Sequence, residues 1–445
     1  MPKGGLNMSE LDSSSQKVNQ WIDDHHDEIV GFLQELIRIP SVTPWFQPAA
    51  EESREADVQT VIGKRMQALG AEVKRWEPNA QELAEYEGRP GYYADHLFEG
   101  RPNQAAVLKG SGEGRSMLLT GHVDVVPAGS GWTVEPFSGD RKDGVIYGRG
   151  TVDMKGGIAA MVMAVEAVVK AGYRLKGDVT VGTVVDEEAG GMGTLDFVDK
   201  GYRADACILT EPTNMKLAPL CRGILWGKLT IPGRSGHIEL PQGDWREGGA
   251  VDAVALARVF MDHFDRLNAD WRVRKVHPYL PIPCQLYIAQ VNAGEYPTAF
   301  ANKVELVFDA QYLPREKDEM GLGGKVKAEI EEFINQVAMT EPWLREHPPV
   351  LEWLIDADCG ETPVEHPFVQ SVLNDMELSG LPRTIEGACA HTDIGWFETL
   401  GIPSVVIGAG NPRLAHQNDE HISEEDLIKL TKLISNVLIH WCEIQ

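Results

Sequence analysis

One apolar strand that runs straight into a cluster of acids constrains this chain more than any other segment. Residues 178–188 read Asp-Val-Thr-Val-Gly-Thr-Val-Val-Asp-Glu-Glu, followed by Ala-Gly-Gly-Met-Gly. The β-branched run favours a buried strand. Three adjacent carboxylates at its end repel one another unless a cation or a proton holds them. A fold that accepts this segment must therefore place a sheet edge beside something positive.

Other segments repeat the pattern. A short apolar strand over 117–120 runs into Gly121-His-Val-Asp124, and one over 206–210 runs into Glu211-Pro. Between them lie patterns of helical period over 157–170 and 194–200, so strands and helices alternate and predict an α/β sheet with parallel members. Apolar spacing also predicts helices over 18–37, ended by Pro40, and over 53–69. Past Cys221 the rhythm changes. Strands are expected over 224–231, 285–291, 304–311 and 350–355, with helices over 251–267 and 325–337. That β-α-β-β-α-β order suggests a ferredoxin-like α+β module inserted into the first domain. The α/β pattern then resumes with a helix over 368–378, a strand over 404–407 and a helix over 424–442. The expected domains are 1–221, 222–357 and 358–445, the first and last forming one unit. Two domains are also what a chain of 445 residues leads one to expect. The polar start, about residues 1–15, reads as a flexible tail without the apolar region of a secretory signal.

Composition excludes several functions. The net charge of −26 argues against nucleic acid as a partner, because neutralising phosphates needs a basic face. No apolar run reaches the roughly 18 residues of a membrane span. The six cysteines are scattered without a Cys-x-x-Cys, as expected of reduced thiols in a cytoplasmic protein.

Several candidate ligands have an alternative structural reading. His122 and Asp124 share one face of a strand, so His122 can bind a metal while Asp124 orients its ring; a core His–Asp pair has the same pattern. Asp153, in Gly148-Arg-Gly-Thr-Val-Asp153-Met-Lys-Gly-Gly157, precedes a helix and would also serve as an N-cap. Glu187, Glu188 and Glu211 follow strands, and ligands of open α/β sheets bind outside the carboxyl ends of the strands. His416, in the loop after the strand over 404–407, supplies the nitrogen that a second metal would need. A nucleotide-binding reading of Gly190-Gly-Met-Gly193 fails, since it lacks the context of a phosphate loop.

Taken together, Gly-His-Val-Asp-Val-Val-Pro127, Gly-Arg-Gly-Thr-Val-Asp-Met-Lys-Gly-Gly157, Asp-Glu-Glu188, Glu-Pro-Thr213 and Ala-His416 resemble, in order, the motifs of the M20 metallopeptidases and deacylases, the group like acetylornithine deacetylase and succinyl-diaminopimelate desuccinylase. The resemblance spans from about Ile37 to the C-terminus. It implies a zinc-peptidase-like catalytic domain, an inserted dimerisation or lid domain and a small-molecule amide substrate. It further implies that Asp153 bridges two divalent metals, one completed by His122 and Glu211, the other by Glu188 and His416. Zn²⁺ suits such ligands, and Co²⁺ or Mn²⁺ would also fit. By the same resemblance Glu187 is the general base and Asp124 orients His122, and the Asp153-Met154 peptide is cis. His237 would reach a partner subunit's site, which implies a homodimer through the inserted module.

The chain departs from that pattern where the group holds a substrate carboxylate. Thr298 stands for an expected Asn, Ala301 for Pro, and Gln311 for an Arg. Losing Arg removes a bidentate cationic clamp. Arg222, Asn292 or Arg413 could substitute, and Thr392 either lines the pocket or, with Asp393, caps a helix. The expected activity is dinuclear metal-dependent hydrolysis of an N-acyl amide of an amino-acid-like amine. The alternative is deformylation or deacylation of a heterocyclic amine without a carboxylate, such as a formylaminopyrimidine. Dipeptidase or carboxypeptidase action, or a metal-binding homologue without catalysis, comes after these.

Overall fold

The structure, a computed structural model, describes residues 8–45, 53–89 and 91–445. It begins with helices α1 (Met8–Asp24), α2 (His26–Ile37) and α3 (Glu55–Ala68), then strands β1 (Glu72–Trp76), β2 (Asn103–Leu108) and β3 (Met117–His122). A hairpin of β4 (Arg141–Lys142) and β5 (Val145–Tyr147) leads to α4 (Lys155–Lys170), β6 (Val179–Val184), α5 (Met192–Asp199) and β7 (Cys207–Leu209). Next come β8 (Gly223–Pro232), α6 (Ala253–Arg274), β9 (Leu286–Ala293), β10 (Lys303–Tyr312), α7 (Gly324–Thr340), α8 (Pro342–Glu346) and β11 (Val350–Ala357). The chain closes with α9 (Pro367–Leu378), α10 (Ile394–Thr399), β12 (Ser404–Val406), β13 (His421–Ser423) and α11 (Glu424–Cys442).

Two compact units result. The first comprises the described residues up to Leu220 together with Gly360–Ala388 and Thr392–Gln445. Its six-stranded sheet has the order β1-β2-β6-β3-β7-β12. Strands β6, β3, β7 and β12 are mutually parallel, and β2 runs antiparallel to both β6 and β1. The sheet is therefore mixed and mainly parallel, as the alternating pattern predicts. Helix α4 is buried on nearly every side, which explains its Ala, Val and Met content. It packs against α11, α2 and β3.

Glycine lets α4 approach the sheet. A Cβ at Gly157 would lie 2.1 Å from the carbonyl oxygen of Thr210, closer than any real contact. The first turn of α4 is thereby pressed against the residue that precedes Glu211.

The second unit, Cys221–Cys359 with Cys389–His391, holds an antiparallel sheet of order β11-β8-β10-β9 and helices α6 and α7. Burial alternates strictly along β8 and β10, so one face of each strand is covered and the other faces outward. This is the β-α-β-β-α-β order read from the sequence.

The N-terminal expectation is corrected. Residues 8–15 are not a tail but the first turns of α1, where Leu11, Ser14 and Ser15 are buried. Leu11, Val18 and Ile22 recur on one helical face, and α1 packs on α11. Tertiary burial overrides the weak helix propensity of the serines. Residues 1–7 of the expected tail lie outside the described residues. All six cysteines are free thiols, and among the described residues no helix is long and apolar enough to cross a membrane.

Candidate active site

Four neighbouring parallel strands end at the same edge, and each delivers a ligand candidate there. His122 is the last residue of β3, Glu187 and Glu188 lie in the turn after β6, Glu211 follows β7, and His416 lies in the loop after β12. Asp153 arrives from the segment ahead of α4, and its peptide bond to Met154 is cis.

The side chains meet as two groups that share Asp153. His122 Nε2 lies 3.1 Å from Asp153 Oδ1 and 3.2 Å from Glu211 Oε1. His416 Nε2 lies 3.2 Å from Asp153 Oδ2 and 3.1 Å from Glu188 Oε2. Within each trio the ligand atoms are all within 4.8 Å of one another. Glu187 stands beside the first trio, with Oε2 3.8 Å from His122 Nε2.

The alternative readings of His122 and Asp153 lose here. His122 faces three further carboxylates beyond Asp124, so it is not a simple core pair. The N-cap position of α4 is Met154 with no side-chain cap, so Asp153 is not a helix cap. His122 is oriented differently from expectation: its Nδ1 lies 2.8 Å from the backbone carbonyl of Asp124, and 3.6 Å from the Asp124 carboxylate. That carboxylate instead accepts the backbone N–H groups of Glu187 and Glu188 at 3.3 and 3.2 Å. Asp124 thus positions both the ring and the acidic turn.

Behind the turn lies a buried polar network that the sequence does not reveal. Asp186 adopts a left-handed backbone with φ of 70°. Its carboxylate meets His96 Nδ1 at 2.7 Å and Arg101 at 3.2 Å, and Arg101 in turn clamps the buried Glu55. Thr194 donates to Asp393, whose charge lies near enough to affect Glu187.

The electrostatics are those of crowded acids. Burial pushes Glu188 and Glu211 up to about 7 and Glu187 well above its ordinary value, with neighbouring carboxylates adding to each shift. Hydrogen bonding to Asp153 and Glu188 raises His416 to about 10. His122 is also raised: burial opposes the shift, but Glu211 and Glu187 outweigh it. In Asp153 burial is outweighed by hydrogen bonds from both histidines, which hold it well below the carboxylate range. Glu188 Oε1 is buried without a hydrogen-bond partner. Three carboxylates, one of them with an orphaned oxygen, and two imidazoles form a donor set suited to two divalent cations, with the Glu187 carboxylate beside it.

The remaining candidates lie elsewhere. Thr392 is buried beside Asp393, which occupies the N-cap position of α10 without a capping side-chain bond. Arg413 is exposed in the turn Pro412–Leu414. In the second unit His237 is exposed, and Asn292 is exposed on the edge strand β9. Arg222 is buried; its Nε donates to the Cys389 carbonyl, and its Nη1 donates to the Pro283 carbonyl and to Gln311 Oε1 at 3.0 Å. Gln311 Nε2 donates to Asp309 Oδ1 at 3.0 Å.

Residues 118–440 match the description of peptidase family M20/M25/M40. An N-formyl-4-amino-5-aminomethyl-2-methylpyrimidine deformylase of Halalkalibacterium halodurans is 28% identical, over 95% of this chain and 96% of its own. A succinyl-diaminopimelate desuccinylase of Methylobacterium radiotolerans is 35% identical, over 93% and 97%. Among solved structures, the di-peptidase Dug1p from Saccharomyces cerevisiae superposes with a TM-score of 0.72 at 18% identity, over 96% of this chain and 98% of its own. A dinuclear metal binding peptidase from Bacillus subtilis superposes at 0.62 and 13% identity, over 95% and 99%. These two likenesses speak to the fold.

Proposed function

Because this chain belongs to peptidase family M20/M25/M40, we propose that it removes a formyl or other small acyl group from a heterocyclic amine that carries no carboxylate. The broader class, metal-dependent hydrolysis of an N-acyl amide, is that of its deformylase and desuccinylase relatives. The observation that carries the narrower reading is Gln311. It is a neutral amide tied to Arg222 on one side and Asp309 on the other. An arginine fork for a carboxylate is absent from that position, and Arg222 is buried and committed to its own neighbours. The likeness of the Halalkalibacterium halodurans deformylase over nearly the whole chain supports the same substrate class.

In this reading residues 1–221 and 358–445 form the catalytic domain, and 222–357 a dimerisation module joining two copies. His122, Glu211 and Asp153 hold one divalent ion, and Glu188, His416 and Asp153 the other; Zn²⁺ is the metal proposed, with Co²⁺ or Mn²⁺ as substitutes. Bound there, the ions supply Lewis acidity to the amide carbonyl and make water nucleophilic near neutral pH. Glu187 takes the proton of the attacking water. When the C–N bond breaks, Glu187 returns that proton to the departing amine nitrogen. Burial among acids, which raises its affinity for a proton, suits Glu187 to this task. His237 is proposed to stabilise the carbonyl oxygen in a partner subunit's site. Free thiols throughout are in keeping with a cytoplasmic location.

The test is hydrolysis of an amide panel by the Zn²⁺- or Co²⁺-loaded protein. The panel pairs N-formyl and N-acetyl aminomethylpyrimidines with N-succinyl-diaminopimelate, N-acetyl-ornithine and dipeptides. Turnover confined to the uncharged amides is the expected result. Turnover confined to carboxylate substrates would overturn the narrower reading and favour desuccinylation, the activity of the relative with 35% identity.

A further inference from the structure

Two buried ions outside the reaction scheme connect three of the ligand-bearing segments. Arg149 is 2% exposed and Glu420 0%, and Arg149 Nη1 lies 2.6 Å from Glu420 Oε2. The other carboxylate oxygen, Oε1, accepts the backbone N–H of Val152 at 2.8 Å and of Asp153 at 3.2 Å. The backbone carbonyl of Glu420 accepts the N–H of Gly148 at 2.8 Å. Arg149 Nη1 also donates to the Gln417 carbonyl at 3.3 Å, and Nη2 reaches the carbonyls of Pro127 and Ala128 at 3.4 and 3.5 Å. The segment after Asp124, the segment carrying Asp153 and the loop carrying His416 thus converge on one ion pair.

His416 has the greatest need of such support. Its backbone is left-handed, with φ of 61°, and its side chain is 51% exposed. A histidine in that setting has little packing of its own to fix its ring. The neighbouring residues Gln417 and Glu420 are anchored instead, through the contacts to Arg149 and to the main chain of Asp153. Burying an ion pair is a poor way to gain stability, because desolvation offsets most of the attraction. Fixing one geometry among several is a better-attested use of such pairs.

We propose that the Arg149–Glu420 pair is a positioning device that holds the loop of His416 against the main chain of Asp153, and so sets the affinity of the cation site formed by Asp153, Glu188 and His416. The inference rests on the reading of those residues as metal ligands. Support outside the ligand shell is typically worth about 10–100-fold in metal affinity.

The test measures zinc per chain and each site's affinity, together with the thermal midpoint, for the full-length protein and for Glu420→Gln, Glu420→Ala and Arg149→Lys. Glu420→Gln keeps an oxygen for the two N–H groups and loses the charge. The expected result is two ions per wild-type chain, and in the variants a second ion weakened about 10-fold or more, with the first, which shares Asp153 but not His416, weakened clearly less. Glu420→Gln should fall between wild type and Glu420→Ala. Turnover should recover as free Zn²⁺ is raised, with the KM for the amide little changed. Lower thermal midpoints with both affinities intact would reduce the pair to a stabilising role and overturn the proposal, as would equal weakening of both sites. A wild-type chain that binds no divalent ion would instead overturn the metal reading beneath it. If Glu420→Ala does not fold, the other two variants carry the test.

Discussion

The carboxylate of Asp124 accepts the backbone N–H of Glu187 at 3.3 Å, while its other oxygen takes that of Glu188 at 3.2 Å. One residue on the β3 side therefore holds the turn that carries the proposed base and a proposed ligand. Asp124→Ala removes both acceptors and leaves two partly buried N–H groups unmatched. A loss of about 10–100-fold in kcat/KM or in zinc affinity is expected. Steady-state kinetics alongside a zinc titration would check it; unchanged values would mean that the Asp186 network alone fixes the turn.

Glu187→Gln separates the base from the ligands. Glu187 is in neither trio formed around Asp153, so the variant should retain its metal content. Without a group to accept the water proton, kcat should fall by about 10²–10⁴-fold. Zinc analysis and turnover on the same sample decide the matter, and turnover near that of the wild type would eliminate Glu187 from proton transfer.

Gly157→Ala tests the contact between α4 and the strand that delivers Glu211. The added methyl would meet the Thr210 carbonyl at 2.1 Å and its Oγ1 at 2.7 Å. Backbone cannot rotate away as a side chain can. The expected cost is about 1–3 kcal/mol in urea unfolding, accompanied by weaker zinc binding at the His122–Glu211 site because Thr210 and Glu211 must shift together. Unchanged stability would show that α4 can slide along the sheet.

The strand ends were the legible part of this site. A buried parallel strand is an apolar run, so a histidine or carboxylate at its end stands out, as at His122, Glu188 and Glu211. The inserted unit was legible because period-2 and period-3.6 patterns alternate in a recognisable order. Strands β1 and β2 were not read. The first is largely exposed, and the second begins with the buried polar residues Asn103 and Gln104. Their side chains bond to distant partners, Asn103 donating to the Gly193 carbonyl and Gln104 Oε1 accepting from Arg75, which no local pattern reports. The same reason hides the pairing of Arg149 with Glu420 and of Asp186 with His96 and Arg101. Charges far apart in sequence look like surface residues until the fold brings them together. The sequence resemblance did assign Asp124 to His122. It did not disclose that the carboxylate serves the acidic turn, since that depends on where β6 ends relative to β3.

Acid should weaken the first unit through the first residue of its last helix. Arg141, on β4, reaches Glu424 at the start of α11 with two hydrogen bonds of 2.7 Å, and also reaches Asp27 on α2. Hydrogen bonding to Arg141 holds Glu424 below the ordinary carboxylate range, with burial opposing the shift. The folded state therefore binds the Glu424 proton less readily than the unfolded chain does. By linkage, the stabilising contribution is present in full above the unfolded pKa, about 4.3, and is lost as pH falls through the folded value. Arg141 is 37% exposed, so solvent screens the pair and the contribution at neutral pH is about 1 kcal/mol or less. Arg141→Gln should lower stability at pH 7 by that amount, and the difference from wild type should shrink as pH falls below the unfolded pKa and through the folded value, where the carboxylate becomes protonated in both states. Urea unfolding at pH 7, 5 and 3 would measure it. An offset that persists unchanged at pH 3 would place the effect in the packing of the Arg141 side chain rather than in its charge.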